Sequence, residues 1–229
     1  VVRADGAEKA GRDIEKIGVK SKKASGEVDR FKMILASIVS IYTLKQMGNL
    51  IDHWVELENR IKLSSNGIAE FNKAFKSVSS VANQTRSDIN ATAMAYNRAA
   101  ISTEALGLTQ RQLENTVRTV NQTLKISGST AQEARASLIQ FFQGLASGQL
   151  RGEEFRSVTE ANIRLTKLLK DELTGGDLGK LREQAFSGML TADRVIAAVL
   201  SNTYKVDREF AKIAPKVEEV FTKVKNQLI

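Results

Sequence analysis

From Val28 onward, apolar residues recur at intervals of three and four. Phe31, Ile34, Leu35, Ile38 and Ile41 follow the spacing that lays side chains along one face of a helix, and the pattern resumes through Leu50, Ile51, Trp54 and Ile61. Gly48 predicts a bend in this first element, and Asn66-Gly67 a turn after it. A helix is expected over 68–81, and another from near Ser87 to just before Gly107, a glycine placed past a helix end. Thr109 and Gln112 stand at capping-box spacing ahead of a helix whose Leu113, Val117, Val120 and Leu124 form one stripe. Gly128 ends it, and Thr130 with Glu133 repeats the box before a helix carrying Leu138, Phe141, Phe142 and Leu145. After Gly152 a helix is expected to run to about Leu173, where Gly175-Gly176 breaks it. A short helix over 178–186 leads to Gly188, and Thr191 caps another. No stretch alternates with the period that a half-buried strand needs. Caps, glycine stops and apolar stripes agree on an all-α, multi-helix bundle.

Residues 145–158, LASGQLRGEEFRSV, predict a corner between two helices. Gly144, Gly148 and Gly152 recur every four residues, and since one glycine in a helix interior costs about 1 kcal/mol against alanine, three argue for a break. Leu150, Phe155 and Val158 are expected to plug the corner into the core. Arg151, Glu153 and Glu154 fall at the start of the next helix, whose positive end suits two carboxylates.

The closing segment follows a different rule. Val206, Phe210, Ile213, Val217, Val220 and Val224 are separated by four, three, four, three and four residues, the spacing of a coiled-coil seam. Pro215 interrupts it, which a helix restarting with proline in its first turn would reconcile. Two readings stand: a closing helix packed on its own domain, or the start of an extended, self-associating rod. The chain therefore divides into a polar N-terminal segment with a hinge (1–27), a helical domain (28–204) and a seam-bearing helix of coiled-coil character (205–229).

Composition narrows the chemistry. Cysteine is absent and His53 is the single histidine, which removes thiolate sites and makes conventional zinc sites and Ser-His-Asp sets improbable. His53, beside Trp54, reads as a packing residue. The net charge of +8 would suit a polyanion, but acidic and basic residues alternate throughout and no recognition motif with interleaved aromatics occurs. Specific nucleic-acid binding is not expected. GGDLGK at 175–180 is one residue short of a phosphate-binding loop, with Leu181 in place of the hydroxyl residue. Glu153 and Glu154 are adjacent on a helix, about 100° apart, and do not form an acid-base pair. The triplets at Asn83, Asn90 and Asn121 match the glycosylation pattern no more often than chance supplies. No catalytic, cofactor or metal site is expected. No secretory signal opens the chain, and its valine start reads as a fragment or processed product. FKMILASIVSIY (31–42) is the most apolar stretch, well short of the ~20 residues of a spanning helix.

Six segments in order resemble the N-terminal domain of tail tape measure proteins of long-tailed bacteriophages and prophages. They are WVELENRIKL (54–63), QTRSDINATAMAYNRAA (84–100), EALGLTQRQL (104–113), VNQTLKISGSTAQEA (120–134), FFQGLASGQLRGEEFRSVTEAN (141–162) and GMLTADRVIAAVL (188–200). That family usually places Ala-Pro where this chain has Asn162-Ile163, so the helix after Gly152 is expected to run on unkinked. The resemblance implies a structural protein of the phage tail, an internal ruler and scaffold around which the tube assembles, with a part in genome delivery. It implies a place in the tube lumen, after assembly in the host cytoplasm. The implied partners are the tail tube protein, tail tip or initiator proteins, a tail assembly chaperone and further copies of itself, with a trimer as the expected number. Its signature residues here are Gly148, Leu150, Arg151, Gly152, Glu153, Glu154 and Phe155, with Arg86, Tyr96, Gly107 and Thr191 secondary. The measuring rod is expected after Ile229. Rival readings are a membrane-active helical protein using residues 31–42 during DNA ejection, a peptidoglycan hydrolase, and a nucleic-acid-binding module.

Overall fold

The computed structural model describes residues 68–216, together with 59, 219, 220, 222, 223 and 226. The polar segment 1–27, the apolar stretch 31–42, Gly48, His53, Trp54, the turn at Asn66-Gly67 and the seam residues Val217 and Val224 lie outside the described residues. Among those described, the chain forms helices and no strand. They are α1 (Ile68–Thr85), α2 (Ile89–Leu106), α3 (Gln110–Ser127), α4 (Ala131–Ala146), α5 (Gly152–Ala161), α6 (Ile163–Thr174), α7 (Leu178–Phe186), α8 (Ala192–Ser201) and α9 (Thr203–Phe210).

Local chemistry sets most of the boundaries. Both capping boxes form: Thr109 accepts from the Gln112 amide at 3.3 Å while Gln112 returns the bond, and Thr130 and Glu133 do the same. Bonds from the Thr130 backbone and side chain hold the Glu133 carboxyl below its ordinary range. Gly128 closes α3 in the left-handed region, at φ 77°. Asp177 caps α7, accepting from the Lys180 amide at 3.0 Å.

Three boundaries differ from expectation. The first helix continues four residues past Val81, because Ala82 and Thr85 are still on its buried face. Gly144 lies inside α4 rather than in a break, and the turn begins only at Ser147. The long helix expected from Gly152 to Leu173 is cut in two at Asn162 although no proline stands there. The reason is a side chain: fully buried Asn162 accepts from the Leu165 amide at 3.1 Å and donates to Thr123 Oγ1 at 3.0 Å. Both bonds require the backbone at 162 to leave the helix, which it does at φ −122°, ψ 69°.

Helix α3 is the hub. It touches α1, α2, α4, α6, α8 and α9. Leu113, Val117, Val120 and Leu124 are buried, as their stripe predicts, and burial of such side chains contributes roughly 1.5–3 kcal/mol each. Thr116, Thr119, Asn121, Gln122 and Thr123 are buried as well, so α3 is enclosed on its polar face too. Threonine tolerates this because its hydroxyl bonds back to a carbonyl of its own helix, as Thr116 does to Gln112 at 2.8 Å and Thr123 to Val120 at 2.8 Å. On the apolar side Phe141 and Phe142 meet edge to face at 5.1 Å and are both fully buried.

Candidate functional site

The corner at 144–155 joins α4 to α5, and every signature residue sits in it. Gly148, at φ 91°, turns the chain out of α4, and Gly152, at φ 53°, admits it to α5. A side chain with a Cβ is strained in that region. Between them Leu150 drops fully into the core, and Phe155 is buried on the first turn of α5. Arg151, Gly152 and Glu153 are exposed and Glu154 is half-buried. The two glutamates occupy the first turn of α5, as the helix-start reading expects.

A second strand of chain pins the corner. Leu150 N–H donates to Leu190 O at 2.8 Å and Ala192 N–H donates to Gly148 O at 2.9 Å, flanking an isolated antiparallel bridge between Gln149 and Thr191. The link between α7 and α8 is thereby stitched to the turn between α4 and α5. At Gly144 the packing is tight: an added Cβ would stand 2.9 Å from Leu150 Cδ1 and 3.3 Å from Glu154 Cβ.

The secondary residues are scattered. Thr191 holds the N-cap position of α8, but its hydroxyl bonds the Asp193 carboxylate, which this holds below the ordinary range, instead of capping the backbone. Tyr96 is buried in α2, where Gln110 Nε2 donates to its hydroxyl, and burial pushes its pKa up. Gly107 ends α2 in the left-handed region and is exposed. Arg86 lies in the turn between α1 and α2, far from the corner in sequence, and bonds instead to the closing segment.

That closing segment is the second candidate. Val206 is fully buried and Phe210 nearly so, both inside this fold, while Ile213 and Val220 are half-buried. Helix α9 ends at Phe210, and helix resumes among the described residues at Glu219, beyond Pro215. The seam spacing is thus not one continuous helix face here. Sequence reasoning missed the side chains that fasten this segment. Arg164 forks onto the Glu209 carboxylate, with Nη2 to Oε1 at 3.1 Å, and holds that carboxyl below its ordinary range. Arg118 and Gln122 reach Asp207 at 3.2 and 2.9 Å. Asn226 accepts from Ile89 N–H at 3.2 Å and donates to Ser87 O at 2.7 Å.

Beside the corner, α5, α6 and α7 leave an open groove of about 580 Å³, lined in part by Phe155, Ile163, Leu178 and Phe186. Among the described residues no group of His, Cys, Asp and Glu could hold a metal ion, and no helix is long and apolar enough to cross a membrane. A family model described as tape measure protein matches residues 45–229. Neither a curated protein sequence nor a solved structure matches the chain.

Proposed function

The chain belongs to the tape measure protein family, a structural component of phage tails that determines tail length, and we propose that residues 68–216 are its folded docking part and not its ruler. The observation that carries this reading is the bundle within the matched span. Drawn out as one helix, residues 68–216 would reach about 220 Å, whereas the longest helices here have 18 residues and extend about 27 Å before the chain doubles back. A ruler converts residues into length at 1.5 Å each; a bundle does not.

In this reading the bundle organises neighbouring subunits and catalyses nothing. Its neighbours are the tail tube protein, tip or initiator proteins, the assembly chaperone and further copies of the chain, in the tube lumen. The corner serves as the rivet that keeps the docking surface rigid. The test is a phage carrying Leu150→Asp, with unfolding of the bundle checked on the purified chain. Electron micrographs should show fewer tails, and those that form should have normal length. Tails of altered length, or an unchanged yield from an unfolded bundle, would overturn the proposal.

A further inference from the structure

The closing segment reads as mixed charge, and the fold sorts it. Residues 203–216 hold two acids, and both are turned toward the bundle: Asp207 accepts from Arg118 Nη2 at 3.2 Å and Gln122 Nε2 at 2.9 Å, and Glu209 takes the fork of Arg164. The four basic residues of the same stretch, Lys205, Arg208, Lys212 and Lys216, are all exposed. What faces outward is a strip of cations whose acids are engaged with the interior.

Lys205 and Arg208 lie one turn apart on α9, and the bond from Lys212 N–H to Glu209 O at 3.2 Å carries the helical course one turn further. From Lys205 to Lys212 the cations thus run along one side over about 10 Å. Lys167 of α6 joins the flank: after Arg164, Lys205 and Lys167 act on the Glu209 carboxylate, and Lys167 is itself exposed. Glu172 bounds the strip at its other end, where it accepts from Asn202 Nδ2 at 2.9 Å. Beside the cations Tyr204 is 73% exposed, with the Arg208 guanidinium 5.8 Å from its ring centre.

A row of cations attracts a polyanion because each contact releases condensed counterions. Tyr204 narrows the choice of polyanion. A bare ring beside a guanidinium stacks on the flat face of a base, for which the carboxylates of an acidic protein have no equivalent. We propose that Tyr204, Lys205, Arg208 and Lys212, extended by Lys167 and Lys216, bind nucleic acid without regard to sequence, the cations on phosphates and Tyr204 against an unpaired base. Point charges and a single stacking platform carry no sequence preference, in keeping with a chain that has no recognition motif. The proposal goes beyond the docking reading above and does not depend on it.

The test is fluorescence anisotropy of the 229-residue chain with labelled oligothymidylate of about 20 nucleotides, beside a duplex of equal length. With four cations on phosphates, affinity for the single strand should fall about 50-fold between about 50 and 200 mM salt. Lys205→Gln with Arg208→Gln should weaken binding about tenfold or more at low salt and flatten the log-log salt slope by about 1.4. Lys73→Gln with Lys76→Gln, the same loss of charge at exposed positions of α1, should leave both nearly unchanged. Tyr204→Ala should weaken the single strand about fivefold or more and spare the duplex. Neither probe binding at low salt, or an equal loss in the α1 variant, overturns the proposal. So does polyglutamate that competes as well as oligothymidylate, which would assign the strip to an acidic protein surface. Single-strand affinity unchanged in Tyr204→Ala overturns the stacking.

Discussion

The corner at 144–155 and the closing segment after Asn202 both fold the chain back onto the bundle, and they are held by opposite means. At the corner the bonds that matter are main-chain ones, to Leu190 and Gly148, and the side chain between them is fully buried leucine. In the closing segment they are charges and amides: Arg164 to Glu209, Arg118 to Asp207, Arg86 and Lys125 to Glu219. The first arrangement cannot loosen without opening the core. The second adds charge pairs to the buried Val206 and Phe210, and its more exposed pair, Arg118 with Asp207, is the one that solvent and salt weaken first.

Leu150→Ala is the strongest test of the difference. It should cost about 2–5 kcal/mol, read from the urea midpoint, and protection should fall across α2, α4 and α8 together. A loss confined to the corner would erase the contrast. Gly144→Ala comes next. Alanine gains about 1 kcal/mol of helix propensity, but the new methyl meets Leu150 at 2.9 Å, and crowding a packed core costs about 1–3 kcal/mol. The expected result is a net loss of stability; a net gain would show that Leu150 has room to yield.

Asn162→Ala should cost about 1–2 kcal/mol through the lost cap and the bond to Thr123. Circular dichroism should show little compensating gain of helix, because the packing of α5 on α4 and of α6 on α3 holds the two helices in place. The smallest effect belongs to the closing segment's Glu209. Bonds from Arg164 hold its folded pKa below the ordinary 4.5, so its contribution is fully present above that value and is lost as pH falls through the folded pKa. The stability difference between the wild type and Glu209→Gln should therefore shrink as the pH drops below about 4.5. A difference that stayed constant would mean that the carboxylate charge contributes nothing.

Where short-range signals decide, the sequence is a good guide. Both capping boxes, the αL glycines at 107, 128, 148 and 175, and the leucine that plugs the corner follow from spacing and residue type alone. Gly144 shows where that reasoning stops. Its four-residue register with Gly148 and Gly152 suggests a shared break, yet it is small because Leu150 comes down upon it, a contact between residues six apart that no helical period encodes. The polar wall of α3 was equally illegible, since threonine, asparagine and glutamine look solvent-facing until their partners on α6 and α9 arrive. The grip of Arg86 on Phe210, Ile213 and Glu219 spans more than a hundred residues and left no trace in local pattern.

The bend at Asn162 has a consequence for how this fold tolerates change. A proline at this junction, as the resembled family usually has, would dictate the angle by steric exclusion and would say nothing to α3. Asparagine dictates it by recognition: one side chain interrupts a helix and, with the same amide, docks the interruption onto Thr123. Placing Ala-Pro at 162-163 would keep a break at the elbow while cutting its tether to the hub.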